Sequence, residues 1–391
     1  MSLLRSQRDG ELAAGLAAIQ APFEQAQTLP PYLYTSPEIF ALELGALFGR
    51  MWLCIAREED LPQPRSYLTR RLGDEQLLVV RDEAGQLRAF FNVCRHRGAR
   101  LIDAPCGRLR GAINCPYHKW SYALDGRLLH APRAGPTFAP EDYPLRSPGL
   151  ETRDGFVFIN LDPGAASLAH ALADLPSLAR YRVGSLRRAV RHEYTIEANW
   201  KVIAENYGEC YHCQLLHPQL HRISDFETGS FTAGVCFNGG PMRLRDGFTT
   251  LSMSGNTALP PIRGLTGEDL RLVRYLQVYP NLTLALHPQY LLTHELWPVS
   301  PTRSRIVCQW LVPPSTLARP GFDDDVTGMI EFWDVTNHQD WAVCERVQLG
   351  LASVGCVPGP YHQTERCVYA FDQWYAGALR QGLDASTSPA W

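Results

Sequence analysis

Two short loops, Cys94-Arg95-His96 and Cys115-Pro116-Tyr117-His118, restrict what this chain can fold into more than any other stretch. Each loop supplies one thiolate and one imidazole, and residues 97–114 separate them. Two Cys on one iron and two His on the other make the donor set of a [2Fe–2S] centre. Imidazoles in place of thiolates take negative charge off the cluster and raise its potential, so that it accepts an electron from an ordinary ferredoxin or flavin. Cys₂His₂ is also a zinc set, but zinc sites usually open with Cys-x₂₋₄-Cys and close with His-x₃₋₅-His. The alternating order Cys, His, Cys, His favours the iron–sulfur reading.

The loops resemble the Rieske iron–sulfur motif, including His96-Arg97-Gly98 after the first Cys and Pro116-Tyr117-His118 after the second. The surrounding sequence has the pattern of strands. Gln76–Val80 and Leu87–Val93 are β-rich and joined by Asp82-Glu83-Ala84-Gly85, a hairpin signal that leads into Cys94. Asp125-Gly126 is a strong two-residue turn signal, and Gly155–Leu161 reads as a buried strand. These features predict a small all-β domain with the ligand loops at hairpin tips. Between Arg95 and Lys119 the basic residues are Arg95, Arg97, Arg100, Arg108, Arg110 and Lys119, against the single acid Asp103. Such a patch suits the docking of an acidic electron donor.

At 391 residues the chain has room for two domains. A net charge of −3 argues against a whole-protein affinity for nucleic acid or membranes. No apolar run reaches a bilayer-spanning length, and MSLLRSQRDGEL lacks the apolar core of a signal peptide, so a cytoplasmic location is expected. The 11 cysteines run from Cys54 to Cys367; in a reducing compartment two are expected as cluster ligands and the rest mostly as buried thiols. Cys106 falls between the ligand loops. The chain is expected to divide into an arm (1–35), a cluster domain with its leading helix (36–162) and a C-terminal domain (163–391). Ser36-Pro37 has the form of a helix start, with a stripe of Phe40, Leu44 and Phe48. Ala165–Leu178 reads as a helical connection and Arg187–Ile196 as an extended run.

A second site lies in Glu197–Pro218. Trp200, Ile203, Ala204 and Tyr207 fall at helical spacing, which predicts a helix to about Cys213. Glu209 and His212 are then neighbours on one face, and a helix end near Leu215 lets His217 turn toward His212. Two His and one carboxylate form a face for Fe(II) that leaves positions open for O₂. Residues 333–350 read as a second helix carrying Asp334 and Asp340. Asp340 is the expected third ligand, on an inward face with Trp341, Cys344 and Val347; Asp334, near the expected helix start, suits the helix dipole. Tyr207 is the expected substrate-contacting aromatic, with Phe237, Tyr290 and Trp297 as further candidates.

With Asn199-Trp200-Lys201, Glu205-Asn206 and the Gln339-Asp340…Cys344-Glu345-Arg346-Val347-Gln348-x-Gly350 run added, the chain resembles the α subunit, or terminal oxygenase, of the Rieske non-haem iron oxygenases. The resemblance runs from about Pro37 to Leu379. It implies an α+β chain: an N-terminal all-β Rieske domain and a C-terminal helix-grip catalytic domain, with Arg274–Tyr279, Leu291–Trp297 and Ser304–Pro313 as strands of its antiparallel sheet. It implies a [2Fe–2S] cluster on Cys94, His96, Cys115 and His118, and a mononuclear Fe(II) on His212, His217 and Asp340. It further implies a homotrimer in which one subunit's cluster serves the next subunit's iron, with Glu209 as the acid bridging the two centres. Ring-hydroxylating members usually carry Asp there; Glu209 resembles the branch that oxidises glycine betaine, proline betaine, choline and carnitine. The implied reaction is hydroxylation of a C–H bond by O₂, such as oxidative N-demethylation by a monooxygenase. Without a Gly-x-Gly-x-x-Gly fingerprint in the sequence, electrons from NAD(P)H are expected through a separate flavin- or ferredoxin-type reductase. Three other readings stay open on the sequence: an oxygenase of an aromatic acid, a Rieske electron carrier without oxygenase activity, and a zinc-stapled binding protein.

Overall fold

The computed structural model describes residues 15–386. Gly49–Ala171 form one compact unit; Leu172 onward, with the segment ending at Phe48, form the other. Residues 1–14 of the expected arm lie outside the described residues.

The first unit is all-β: β1 (Leu53–Arg57), β2 (Ser66–Leu72), β3 (Glu75–Arg81), β4 (Leu87–Phe91), β5 (Cys106–Arg108), β6 (Ile113–Asn114), β7 (Ser121–Tyr122), β8 (Leu128–His130), β9 (Gly149–Arg153) and β10 (Phe156–Asn160). They form antiparallel sheets in the orders β4-β3-β2-β5, β6-β7-β8 and β1-β10-β9. Leu77–Val80 and all of β10 are buried, the continuous apolar pattern of strands covered on both faces. The core joins Leu78, Val80 and Phe90 to Cys94, Cys115, Trp120 and Tyr122, so the two expected cluster thiols are part of the packing. The expected Asp125-Gly126 turn links β7 and β8. Gly126 has φ +92°, and a Cβ there would stand 2.5 Å from the Phe90 ring, so the turn and the close packing both require glycine.

The second unit is built on an antiparallel sheet of β11 (Arg187–Ile196), β12 (Ser224–Asp225), β13 (Thr232–Ala233), β14 (Phe237–Leu244), β15 (Leu272–Val278), β16 (Leu282–Leu286), β17 (Leu291–Ser300) and β18 (Arg303–Val312). The order is β11-β18-β17-β16-β15-β14-β12, with β13 also paired to β14. Its helices include α1 (Pro37–Leu42), α2 (Trp200–Tyr207), α3 (Cys213–Leu216), α4 (Pro218–Ile223), α5 (Phe322–Leu351) and α6 (Arg366–Ser386). Trp333, Phe332, Met329 and Val326 of α5 pack on Leu292, Cys308, Trp310 and Val312 of the sheet in one core.

Four local expectations need correction. The Ser36 side chain accepts from the Ile39 N–H, as a cap should, but from Glu43 to Phe48 the helix widens to a π-type turn. That change of period buries Ile39, Glu43, Ala46, Leu47 and Phe48 rather than a stripe through Phe40 and Leu44. The expected helix over 165–178 is a single turn, Leu168–Ala171, followed by irregular chain. The helix from Trp200 stops at Tyr207 and is capped at Gly208, short of Cys213. Finally, α5 begins at Phe322, with Asp323, Asp324 and Asp325 in its first turn. Asp334 is therefore mid-helix, where it accepts a hydrogen bond from the Tyr194 hydroxyl at 2.8 Å instead of serving the dipole.

Candidate functional site

In the all-β unit the sulfurs of Cys94 and Cys115 are buried, His118 is half-buried and His96 is exposed. The two imidazole rings stand 4.6 Å apart, with His96 stacked on Trp120 and His118 tilted against Tyr117. The Tyr122 hydroxyl accepts the Arg95 N–H at 3.0 Å and lies 3.3 Å from the Cys94 sulfur, where it can donate to a thiolate. Burial pushes the Cys94 thiol up, while the Tyr122 hydroxyl and a backbone hydrogen bond from His96 pull it back. Burial, then His96 and Arg97, lower the His118 pKa, which favours the neutral form that ligates. The buried Nδ1 of His118 has no hydrogen-bond partner, as expected of an atom reserved for a metal. These residues fit a two-Cys, two-His cluster. All six basic residues of the loops are exposed; among the described residues only Arg100 of the six forms an ion pair, with Asp103. Cys106 is exposed on β5.

In the second unit the chain leaves α2 at Gly208, crosses a turn carrying Glu209 and His212, forms α3, and presents His217 before α4. One atom each of His212, His217 and Asp340 lies within 4.8 Å of the others, the spread a single ion can bridge. The two Nε2 atoms face the same Asp340 oxygen, at 3.3 Å from His212 and 2.9 Å from His217. Both Nδ1 atoms point away to fixed partners: Glu209 for His212, and the Gln339 side-chain oxygen at 2.8 Å for His217. Gln339 is itself held by the Gln219 amide. Such outer partners orient ligating imidazoles and fix their tautomer. Burial pulls the His212 pKa down, but hydrogen bonds to Asp340 and Glu209 overcome it and push it up to about 10. Burial raises the Asp340 carboxyl, yet His212 and His217 hold it below the usual carboxylate range. A cation amid these groups would replace the His212 proton in the same role. The donor set, two neutral imidazoles and a carboxylate, fits Fe(II).

The triad opens on a cavity of about 480 Å³. Tyr207 lines it, with its hydroxyl donated to the Leu284 carbonyl at 3.0 Å, so the ring and not the OH faces inward chemistry. Phe237, Tyr290 and Trp297 are not among the lining residues. Tyr290 acts one step back, its hydroxyl accepting from the Trp333 indole at 2.7 Å. Phe226, Phe231, Tyr275, Trp333 and Thr336 line the cavity and were missed from the sequence. Trp333, Thr336 and Asp340 fall at i, i+3 and i+7 on α5, a signal the spacing did contain. On the same helix Val347 is exposed, so the inward face runs through Asn337, Cys344 and Gln348 instead. Gly239, at φ +139°, brings β14 against β15: a Cβ there would sit 2.1 Å from the Tyr275 carbonyl oxygen. A disulfide joins Cys210 and Cys213 on either side of His212, where free thiols were expected; the one-turn spacing sets their Cα atoms 4.8 Å apart.

Residues 51–147 match the Rieske [2Fe-2S] domain and residues 183–381 the ring hydroxylating alpha subunit (catalytic domain). The glycine betaine monooxygenase oxygenase subunit of Chromohalobacter salexigens is 32% identical, over 98% of this chain and 93% of its own. The carnitine monooxygenase oxygenase subunit of Escherichia coli K12 is 38% identical over 50% of this chain and 53% of its own. The quaternary ammonium Rieske monooxygenase CntA, solved in complex with its substrate gamma-butyrobetaine, superposes with a TM-score of 0.75 at 26% identity, covering 93% of this chain and 98% of that one. The full-length match and the two domain matches leave no place for a zinc-stapled binding protein or a bare electron carrier. The chain belongs to the Rieske non-haem iron oxygenases, as an α subunit of the quaternary ammonium branch.

Proposed function

We propose that this oxygenase hydroxylates an N-methyl group of a quaternary ammonium or betaine substrate, releasing formaldehyde and the demethylated amine. One observation carries the reading: His212, His217 and Asp340 converge at a cavity walled by aromatic faces. A trimethylammonium group offers no N–H, so its recognition rests on ring faces, here Tyr207, Tyr275 and Trp333. The substrates named for relatives (glycine betaine, carnitine and gamma-butyrobetaine) support the same class.

In this reading Cys94 and Cys115 hold one iron of the [2Fe–2S] cluster, His96 and His118 the other, while His212, His217 and Asp340 hold Fe(II). When bound, the cluster supplies single electrons and the Fe(II) supplies activation of O₂. Glu209 and Gln339 keep the two ligand imidazoles aimed at the ion, and the aromatic walls exclude water and turn a methyl group toward it. Electrons come from NAD(P)H through a separate flavin- or ferredoxin-type reductase. The assembly is a cytoplasmic homotrimer in which Glu209 links one subunit's iron site to the cluster of the next. Inter-subunit electron transfer described for CntA supports that arrangement. The test is a panel of N-methylated compounds, incubated with the iron-loaded protein, a surrogate reductase and NADH, and scored for formaldehyde. Release from at least one trimethylammonium compound is expected; release from none of them rejects the demethylase reading.

A further inference from the structure

The cavity has a chemistry that an aromatic box for an onium group does not need. Arg366, the first residue of α6, is the one Lys or Arg that lines it among the described residues. Its guanidinium lies 4.4 Å from the centre of the Phe23 ring, and it pairs with no described carboxylate. Phe23 is in turn braced edge-on by Tyr369 at 5.3 Å and stacked with Tyr361 at 6.0 Å, so the cation rests on a packed platform. Of the acids lining the cavity, Glu209 and Asp340 are committed to the imidazoles, and Glu227 forms no ion pair with Arg366.

Tyr275 lines the same cavity from β15, and its hydroxyl oxygen is buried without a hydrogen-bond partner. Native folds seldom leave a buried hydroxyl unmet unless a ligand or water completes it. The two groups share one wall. Tyr275 pairs with Gly240 of β14, and two residues earlier on that strand Asn238 donates to the Cys367 carbonyl at 2.7 Å, pinning the start of α6 there. A guanidinium with no described counter-ion and a hydroxyl with no described partner, both lining one cavity, suit a carboxylate, which can take a two-pronged bond from Arg and a further one from the phenol.

We propose that Arg366 and Tyr275 hold the carboxylate of the substrate, so that this enzyme selects an N-methylated zwitterion over a neutral-tailed analogue. The proposal rests on the demethylase reading and specifies its substrate. Glycine betaine and choline are the probes, because they share a trimethylammonium head and differ in carboxylate against alcohol. For the wild-type enzyme, kcat/KM is expected to favour glycine betaine. In Arg366→Gln the betaine-to-choline ratio falls by roughly 10-fold or more, the size expected when a charge-assisted contact is lost. Most of that change is in KM. Arg366→Lys restores part of the ratio, and Tyr275→Phe lowers it by a smaller factor. Retained cluster absorbance and iron content in each variant separate a binding defect from misfolding. Formaldehyde from both probes with a ratio that Arg366→Gln leaves unchanged overturns the carboxylate site alone. No formaldehyde from any trimethylammonium compound overturns the demethylase reading and this one with it.

Discussion

Asp340 reaches both ligand imidazoles through one oxygen, whereas each imidazole has a second partner of its own. Its removal therefore unties the site while leaving His212 and His217 oriented. Asp340→Ala is expected to keep the cluster spectrum and lose mononuclear iron and turnover, taking iron from roughly three to roughly two per chain. Iron analysis beside the absorbance of the oxidised cluster checks this; loss of the cluster with the Asp340 variant would point to a misassigned ligand. At this scale the sequence was informative because ligands carry their own chemistry. Cys-x-His and Cys-x-x-His, and His212 with His217, stand out by donor type and spacing, whereas Asp340 was set above Asp334 by its expected face on the helix. Aromatic side chains carry no such mark. Tyr207 lines the cavity, but Tyr290 and Trp297 look no different in sequence from Tyr275 and Trp333, and only their places in the fold tell them apart: Tyr275 on β15 and Trp333 on α5 line the cavity, whereas Tyr290 just before β17 and Trp297 on β17 do not.

Among elements, the most demanding contact is that of α2 with the segment around Glu43. Lys201 and Glu43 are fully buried and paired at 2.5 Å; Glu43 also accepts from the Trp200 indole at 2.9 Å and the Tyr375 hydroxyl at 2.7 Å. Asn199 caps α2 by accepting the Lys201 N–H and donates to the carbonyls of Tyr34 and Pro301. Asn-Trp-Lys, in sequence only a family mark, is thus the fastener that sets the helix leading toward His212 and His217, the proposed iron ligands. Breaking one member of a buried pair strands the other. Lys201→Met is expected to cost roughly 3–5 kcal/mol of stability, measured by denaturant unfolding. A loss within experimental error would mean that Glu43 finds another partner.

At the other end of α2, Glu205 and Asp372 form a buried pair of carboxyls. Glu205 accepts from the Tyr34 hydroxyl at 2.7 Å and lies by Asp372 of α6, which accepts from Tyr361 at 2.5 Å. Burial raises Asp372 to about 7, against the help of Tyr361, Glu205 and Lys201, with Glu365 adding to the rise. Its folded pKa stands above an unfolded value of about 3.9, so the native state binds the extra proton between those limits. The contribution to stability is complete below about pH 4 and is lost as pH rises through about 7. Asp372→Asn, which cannot ionise, is expected to flatten the fall in stability between about pH 4 and 7, the window those pKa values set. Urea titrations across that range decide it; a slope equal to that of the parent protein rejects the assignment of the proton to this carboxyl.

For the molecule as a whole, the two-part α+β plan was legible because hairpins and a Rieske motif are local in sequence. The placement of the segment ending at Phe48 was not, since Glu43, Tyr34 and their partners on α2 and α6 are more than a hundred residues apart. The cavity wall was hidden for the same reason: it is assembled from β14, β15, α5 and the start of α6. What the sequence did expose is the charge around the cluster. Arg95, Arg97 and Lys119 are exposed next to the ligand loops and have no described carboxylate partner, in a chain whose net charge is −3. A local positive field on an acidic background steers a negatively charged donor to one face and adds to the association rate rather than to the contact itself. Arg95→Glu with Arg97→Glu is therefore expected to slow reduction of the cluster by an acidic ferredoxin by roughly 10-fold at low salt. The deficit should shrink as ionic strength shortens the Debye length to a few ångströms. Reduction by a small uncharged donor should be unaffected, which separates lost steering from a damaged cluster. Stopped-flow bleaching of the cluster against salt concentration measures all three; equal rates for parent and variant at low salt would place electron entry elsewhere on the surface.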